Sequence, residues 1–193
     1  ALAALDTGSA FEGMGAAREV SFACLAEAAL FMAFVVLVRF SGSLSLTPMF
    51  HAPMTAPLHG LPGAALLLVA VALFVVLLAE NSRIPIDDPN THLELTMIHE
   101  VMILDHSGPD LALILYGSAL RFALFASLLV GLAWPRGGPG LAGAAALGFG
   151  VVAAAVLVGC IESSMARLRL MRIPQYLASA LVLAALGALL LLF

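Results

Sequence analysis

The chain has 193 residues and a formal net charge of -4, and 63% of its residues are hydrophobic whereas 10% are charged. Soluble domains are about 45–50% apolar and about 25% charged. This composition excludes an ordinary soluble domain and predicts an integral membrane protein, in which each transmembrane helix needs about 20 mostly apolar residues.

Five apolar stretches of sufficient length predict an all-α, polytopic helix bundle. The spans are expected at about residues 16–38, 62–79, 109–134, 141–161 and 174–193. Glu27 lies well inside the first span, where a carboxylate normally faces protein or a water-filled cavity and serves transport. Several prolines between the first two spans predict an extended external loop over residues 41–61.

One polar segment, residues 80–107, interrupts the apolar sequence and holds six of the twelve acidic residues and three of the five histidines. Its prolines, Pro85 and Pro89, disfavour helix at the preceding residues, which predicts a folded loop over 81–90.

The second part of the polar segment is predicted to be an amphipathic helix. Thr91 and Glu94 have the spacing of a capping box at the start of an apolar-periodic run. At 100° per residue, His92 and His99 share the polar face, whereas Glu94 falls on the apolar face. Capping and proton exchange therefore remain two open roles for Glu94. The two histidines are about 10 Å apart on such a helix, too far to bind one metal ion.

Arg121 lies in the middle third of the third span, where an arginine pairs with an acid, faces water or extends to the interface. The arginines also indicate topology. With the polar segment on the cytoplasmic side, five of them lie inside and two outside, which agrees with the positive-inside rule. The inside set is Arg18, Arg83, Arg167, Arg169 and Arg172, and the outside set is Arg39 and Arg136.

These residues define two candidate functional groups. Ionisable side chains in or at the ends of the spans are the parts from which proton relays are built, and the set comprises Glu27, Glu80, Glu94, Glu100, Arg121 and Glu162. The polar segment suits docking of a soluble partner, and its candidate contacts are Arg83, Asp87, Asp88, His92, His99 and Asp105. No metal site is expected, and Cys24 and Cys160 are expected to be structural thiols.

The polar segment also carries a family resemblance. Ala79-Glu80, Arg83, Pro85, Asp87, Pro89 and Glu94-Leu95 resemble the A-E-x-x-R-x-P-x-D-x-P-x-x-x-x-E-L signature of the complex I subunit 1 family. Arg18 and Glu27 match that family's Arg and Glu nine residues apart, and Arg167-Leu168-Arg169 resembles its later basic loop. Residues 87–100 and 104–108 are more similar still to membrane subunits of group 4 energy-converting nickel-iron hydrogenases, of hydrogenase-4 and formate hydrogenlyase type.

The resemblance implies a membrane-anchor and proton-coupling subunit, which is not itself catalytic, in a bacterial or archaeal cytoplasmic membrane. It implies a nickel-iron centre and iron-sulfur clusters in partner subunits, antiporter-like membrane partners, and no redox cofactor bound by this chain. The family is about eight helices long, so about three further helices are expected before residue 1. Ser118 and Arg121 stand where relatives carry an acid, and Glu162 stands where they carry arginine.

Three alternatives remain open from the sequence. The first is the quinone-cavity subunit of a complex I-type NADH:quinone oxidoreductase. The second is a stand-alone proton-coupled transporter, which inverted repeats would favour, although none is visible. The third is a passive anchor in which the buried acids are only packed.

Overall fold

The computed structural model describes residues 1–55, 60–87, 98–133, 140–166 and 168–192. Within these ranges the chain is helical and has no strand. The α-helices are α1 (Leu2–Asp6), α2 (Ala10–Ser41), α3 (Leu46–Thr55), α4 (Leu61–Glu80), α5 (Gly108–Ala133), α6 (Leu141–Ser164) and α7 (Ile173–Leu190). Five of them, α2, α4, α5, α6 and α7 with the 3-10 turn before it, are long and apolar enough to cross a membrane. The predicted all-α bundle with five spans is confirmed.

The centre of the bundle is formed by α2, α4 and α7, which pack against one another. Small side chains line these contacts, since Ala33 of α2, Ala72 of α4 and Ala184 of α7 are fully buried. A Cβ on Gly187 of α7 would lie 3.2 Å from the carbonyl oxygen of Ala65. Close backbone approach of this kind is how membrane helices associate without a hydrophobic driving force between them.

Of the other two spans, α5 packs against both α4 and α6. Their shared core contains Leu77 and Leu78 of α4, Ala126 of α5, and Ala154 and Val158 of α6. The C-terminal part of α4 therefore shares a core with α5 and α6.

The extended loop predicted for residues 41–61 is wrong, because α3 occupies Leu46–Thr55. Pro48 is tolerated because it lies in the first turn of this helix, where its missing N–H has no intrahelical partner. Met49 and Phe50 are buried in the core with residues of α2 and α4. The free energy of burying these two side chains favours a short helix that the prolines alone would oppose.

Helix α2 begins at Ala10, six residues before the predicted start, and so includes Glu12. The amphipathic helix predicted for the polar segment is wrong over residues 98–107, where the structure has a 3-10 turn at Glu100–Ile103 before α5 begins at Gly108. The predicted helical residues 91–97 lie outside the described residues.

Candidate functional site

The site begins where α4 ends, at Glu80, in the middle of the polar sequence. The N–H of Arg83 donates to Leu78 O at 2.9 Å and the N–H of Ser82 to Ala79 O at 3.1 Å. These are the two hydrogen bonds of a Schellman motif. Ser82 takes the left-handed position with φ of 48°, which glycine usually fills. The motif turns residues 81–87 sharply away from the α4 axis.

Asp87 holds the end of this turn to the start of the next described segment. Its carboxylate Oδ2 accepts the backbone N–H groups of Ile98 and His99, each at 3.0 Å. The side chain is only 2% exposed. Asp87 was expected to contact a partner, and within this chain it is buried and shapes the segment.

Glu12 fixes the other end of the same segment. It is fully buried, accepts the N–H of Asp105 on Oε1 at 2.8 Å, and accepts the hydroxyl of Thr7 on Oε2. Residues 98–105 are therefore held between two carboxylates, Asp87 and Glu12. Sequence reasoning missed Glu12, although its position seven residues before Glu19, two helical turns away, places both acids on one face of α2.

Close packing completes this attachment at Gly15 of α2. A Cβ at Gly15 would lie 3.0 Å from both Ile98 O and Met102 Cγ, whereas a Cβ at Gly13 would meet nothing within 4 Å. The segment can approach α2 only because position 15 has no side chain.

Substitution of these two glycines is expected to have opposite effects. Gly13→Ala should raise the free energy of unfolding by up to about 1 kcal/mol through helix propensity. Gly15→Val should lower it by about 1–3 kcal/mol through overpacking against the segment. Thermal unfolding of the two purified variants measures the difference. Equal effects of both substitutions would contradict the observed packing.

Arg121 of α5 connects three helices at the level of the α4 terminus. Its Nη1 donates to Glu19 Oε1 of α2 at 3.2 Å and to the Glu80 carbonyl oxygen of α4 at 3.0 Å. The arginine therefore pairs with an acid, which is one of the roles expected for it at this depth. The acid is Glu19, which sequence reasoning did not select.

A second ion pair joins the turn to α6. Arg83 Nη1 lies 3.4 Å from Glu162 Oε1. Beside it, the N–H of Leu168 donates to the Pro85 carbonyl oxygen at 2.8 Å. Residues 81–87 are thus bound at two points, to the end of α6 and to the α6–α7 connection.

These side chains line three neighbouring cavities, which are named here by position. The loop cavity, about 510 Å³, is lined on its polar side by Glu80, Arg83, Asp87, His99, Arg121 and Glu162, with an apolar wall from α5 and α6. The central cavity, about 20 Å³, lies among Glu19, Glu80, Ser82 and Arg121. The side cavity, about 260 Å³, includes Glu19, His99, Ser118 and Arg121.

The structure brings six of the predicted residues together around the loop cavity, namely Glu80, Arg83, Asp87, His99, Arg121 and Glu162. Glu27 lies apart from this cavity, on an exposed face of α2. The reason is helical geometry, because Glu27 is eight residues from Glu19 and therefore rotated by about 80° around the helix. It was expected to face an interior, and within this chain it does not.

The remaining predicted residues are only partly described. Asp105 is exposed. The backbone of Glu100 begins the 3-10 turn, but its side chain is outside the described part. Glu94, Asp88 and His92 lie outside the described residues.

Comparison with known proteins identifies the family. The profile of the NADH dehydrogenase family matches residues 1–193. The chain belongs to this family. The resemblance to complex I subunit 1 is confirmed.

Two similar proteins come from Escherichia coli K12. Hydrogenase-4 component C of Escherichia coli K12 is 35% identical over 144 residues, covering 71% of this chain and 42% of the relative. Formate hydrogenlyase subunit 4 of the same organism is 28% identical over 181 residues, covering 88% and 56%. The chain spans about half the length of these relatives.

A solved structure has the same fold. The membrane-bound sulfane sulfur reductase, described as an archaeal respiratory membrane complex, matches with a TM-score of 0.77 and 21% identity. The match covers 97% of this chain and 62% of the other. At this identity the likeness shows the fold alone, and it agrees with an integral membrane bundle.

Proposed function

We propose that this chain is the membrane-anchor and coupling subunit of a multisubunit oxidoreductase complex of group 4 nickel-iron hydrogenase type. A cytoplasmic module with a nickel-iron large subunit and an iron-sulfur subunit docks on residues 81–106. Antiporter-like membrane subunits translocate protons or other ions in response to the redox reaction. The chain lies in a cytoplasmic membrane and binds none of the redox centres itself. The similarity to hydrogenase-4 component C and formate hydrogenlyase subunit 4 supports this class of complex.

The observation that carries the coupling role is the position of Arg121. It contacts α2 through Glu19 and α4 through the Glu80 carbonyl, and it also lines the loop cavity. A movement of residues 81–106 would therefore affect α2 at Glu19 and α4 at Glu80 through the Arg121 side chain.

Residues 98–106 are connected to Arg121 through Asp87 and the loop cavity. Asp87 holds His99, and His99 lines the loop cavity with Glu80 and Arg121. A redox-linked movement or charge change at residues 98–106 would act on Glu80, which lines the same cavity as His99, and on Glu27 further along the bundle. Proton release or uptake at these acids, with Glu94 and Glu100, then biases ion movement in the neighbouring subunits.

Glutamine variants of two acids test this proposal. In the intact complex in proteoliposomes, Glu80→Gln and Glu27→Gln are expected to reduce ion translocation strongly while hydrogen turnover with reduced viologen stays near that of the wild type. Neutral glutamine keeps the side-chain size but carries no exchangeable carboxyl proton. Asp110→Asn, an exposed acid in the first turn of α5, is the matched control. Equal loss of translocation and turnover would contradict a relay and favour a packed anchor.

A second candidate is quinone reduction, favoured by the loop cavity. Its volume of about 510 Å³ and its combination of polar groups with an apolar wall fall in the range of small-molecule sites. Quinone-dependent activity that is abolished by cavity inhibitors would support this function over the hydrogenase assignment.

A further inference from the structure

One side of α2 is exposed along most of the span. Its residues recur every three or four positions, which places them in one line along the helix, where a neighbouring helix packs. On the opposite side, Ala26, Ala29 and Ala33 are buried in the bundle. The exposed line, called the α2 stripe here, consists of Val20, Cys24, Glu27, Phe31 and Val35. The described part of the chain leaves this line uncovered.

Glu27 lies in the middle of the α2 stripe and deep in the membrane. Arg18 and Arg39 are nine and twelve residues away, which corresponds to about 14 Å and about 18 Å along the helix. Glu27 is therefore near the centre of a hydrocarbon core about 30 Å thick. It forms no hydrogen bond or ion pair with the described residues and lines none of the cavities named above. A charged group at this depth is costly in lipid and normally pairs with another group.

A neighbour that pairs with Glu27 must supply a hydrogen-bond donor, because a carboxylate only accepts. A basic side chain supplies the donor together with the opposite charge, and such charge-assisted bonds are stronger than neutral ones. Lipid tails supply neither. A second copy of this chain does not fit, since two α2 stripes in contact would place two glutamates beside each other at the same depth, and like charges repel.

The side chains around Glu27 leave room for a helix to approach. Cys24 and Ala28 are small and exposed on either side of it, and small residues allow close contact between membrane helices. Phe31, one turn further along, is 66% exposed and presents a large apolar surface. The stripe therefore matches a transmembrane helix that is apolar toward both ends and basic in the middle.

We infer that the α2 stripe is the contact surface for one transmembrane helix of a neighbouring membrane subunit, and that a basic residue of this helix pairs with Glu27. The inference rests on the proposed function, in which this chain works beside other membrane subunits, and it assigns the surface on which one of them lies. Protonation of Glu27 would remove one charge of the pair. The contact therefore gives the neighbour a direct response to the charge state of this acid.

Photo-cross-linking in the intact complex tests the contact. p-Benzoylphenylalanine is placed at Phe31 or, as the matched control, at Phe149, which is 74% exposed on α6. The two positions have a similar depth, since Phe31 is eight residues before Arg39 and Phe149 is eight residues after Leu141, the start of α6.

Position 31 should cross-link to another membrane subunit, and position 149 to lipid. Mass spectrometry of the position 31 product should identify a transmembrane peptide with Lys, Arg or His within about two helical turns of the cross-linked residue. Lipid adducts alone at position 31, or a peptide from the same polypeptide as α2, would overturn the inference.

Charge reversal tests the pairing. Glu27→Lys would place two positive charges together, so the neighbouring subunit should dissociate about 100-fold more readily when the complex is diluted in detergent. Val152→Lys is the matched control, because Val152 is 62% exposed in the middle of α6 and a lysine there carries a similar cost of insertion. This control should retain the neighbour.

Exchange of the two charges completes this test. Replacing the identified basic residue of the neighbour by glutamate should restore its association with the Glu27→Lys variant. Absence of rescue, or equal dissociation in the Glu27→Lys and Val152→Lys variants, would refute the pair. If Glu27→Lys alone does not assemble, the complex with both charges exchanged decides.

The outcomes separate this contact from the coupling role. If position 31 cross-links to the neighbour while Glu27→Gln translocates ions at the wild-type rate, the contact stands and the coupling role of Glu27 fails. If Glu27→Gln loses translocation while position 31 meets only lipid, the coupling role stands and the contact is refuted.

Discussion

Replacing Arg121 by leucine is expected to remove both coupling and part of the stability of the bundle. The change leaves Glu19 without its arginine and the Glu80 carbonyl without a donor. Loss of hydrogen bonds to a charged group costs about 1.5–3 kcal/mol, and the 42% exposure of the arginine places the effect toward the lower end. The thermal unfolding midpoint of the purified complex and its proton uptake measure the two losses.

A lysine at the same position provides the informative comparison. Arg121→Lys keeps the positive charge near Glu19, but an ammonium lacks the planar fork that lets one group bind two acceptors in fixed directions. Relative to Arg121→Leu, the lysine variant should therefore regain more of the thermal unfolding midpoint than of the proton uptake. Arg39→Leu, in the exposed last turn of α2, is the control. Wild-type uptake in Arg121→Leu would contradict the connecting role given to this residue.

Replacing Asp87 by alanine is expected to release the docking segment. The buried N–H of Ile98 and the partly buried N–H of His99 lose their acceptor. Each unsatisfied buried donor costs about 1–3 kcal/mol. The ordered conformation of this segment should therefore be destabilised by about 2–6 kcal/mol. Hydrogen exchange of the Ile98 and His99 amides should accelerate, and binding of the cytoplasmic module should weaken.

Asparagine separates the geometry from the charge at this position. Both hydrogen bonds go to one carboxylate oxygen, which the amide oxygen of Asp87→Asn can replace. The asparagine variant should therefore lose far less protection than the alanine variant. Asp110→Ala, an exposed acid, should change stability by less than about 1 kcal/mol. Similar exchange rates in both Asp87 variants would show that hydrogen bonding is not what holds the segment.

The spans were predictable because each is a long apolar run, and the family was predictable because its motif lies in one continuous segment. The α3 helix was not, since Pro48 and Pro53 oppose helix locally and the packing of Met49 and Phe50 depends on distant residues. Local pattern carries no information about such contacts.

The amphipathic helix prediction failed over residues 98–107 for a related reason. The periodicity of residues 92–106 suits a helix, but the N–H groups of Ile98, His99 and Asp105 bond to carboxylates of Asp87 and Glu12. Those acceptors are 11 to 93 positions away in sequence. Glu19 was missed likewise, because an acid near a predicted helix start is normally solvated, and only its pairing with Arg121 marks it.

The two bonds that join residues 81–87 to the end of α6 and to the α6–α7 connection have a mechanical consequence. The Leu168–Pro85 hydrogen bond and the Arg83–Glu162 pair tie together segments that are about eighty positions apart along the polypeptide. Force applied by a bound neighbour to either segment is shared with the other. Lengthening one of these links by insertion would therefore require a compensating change in its counterpart.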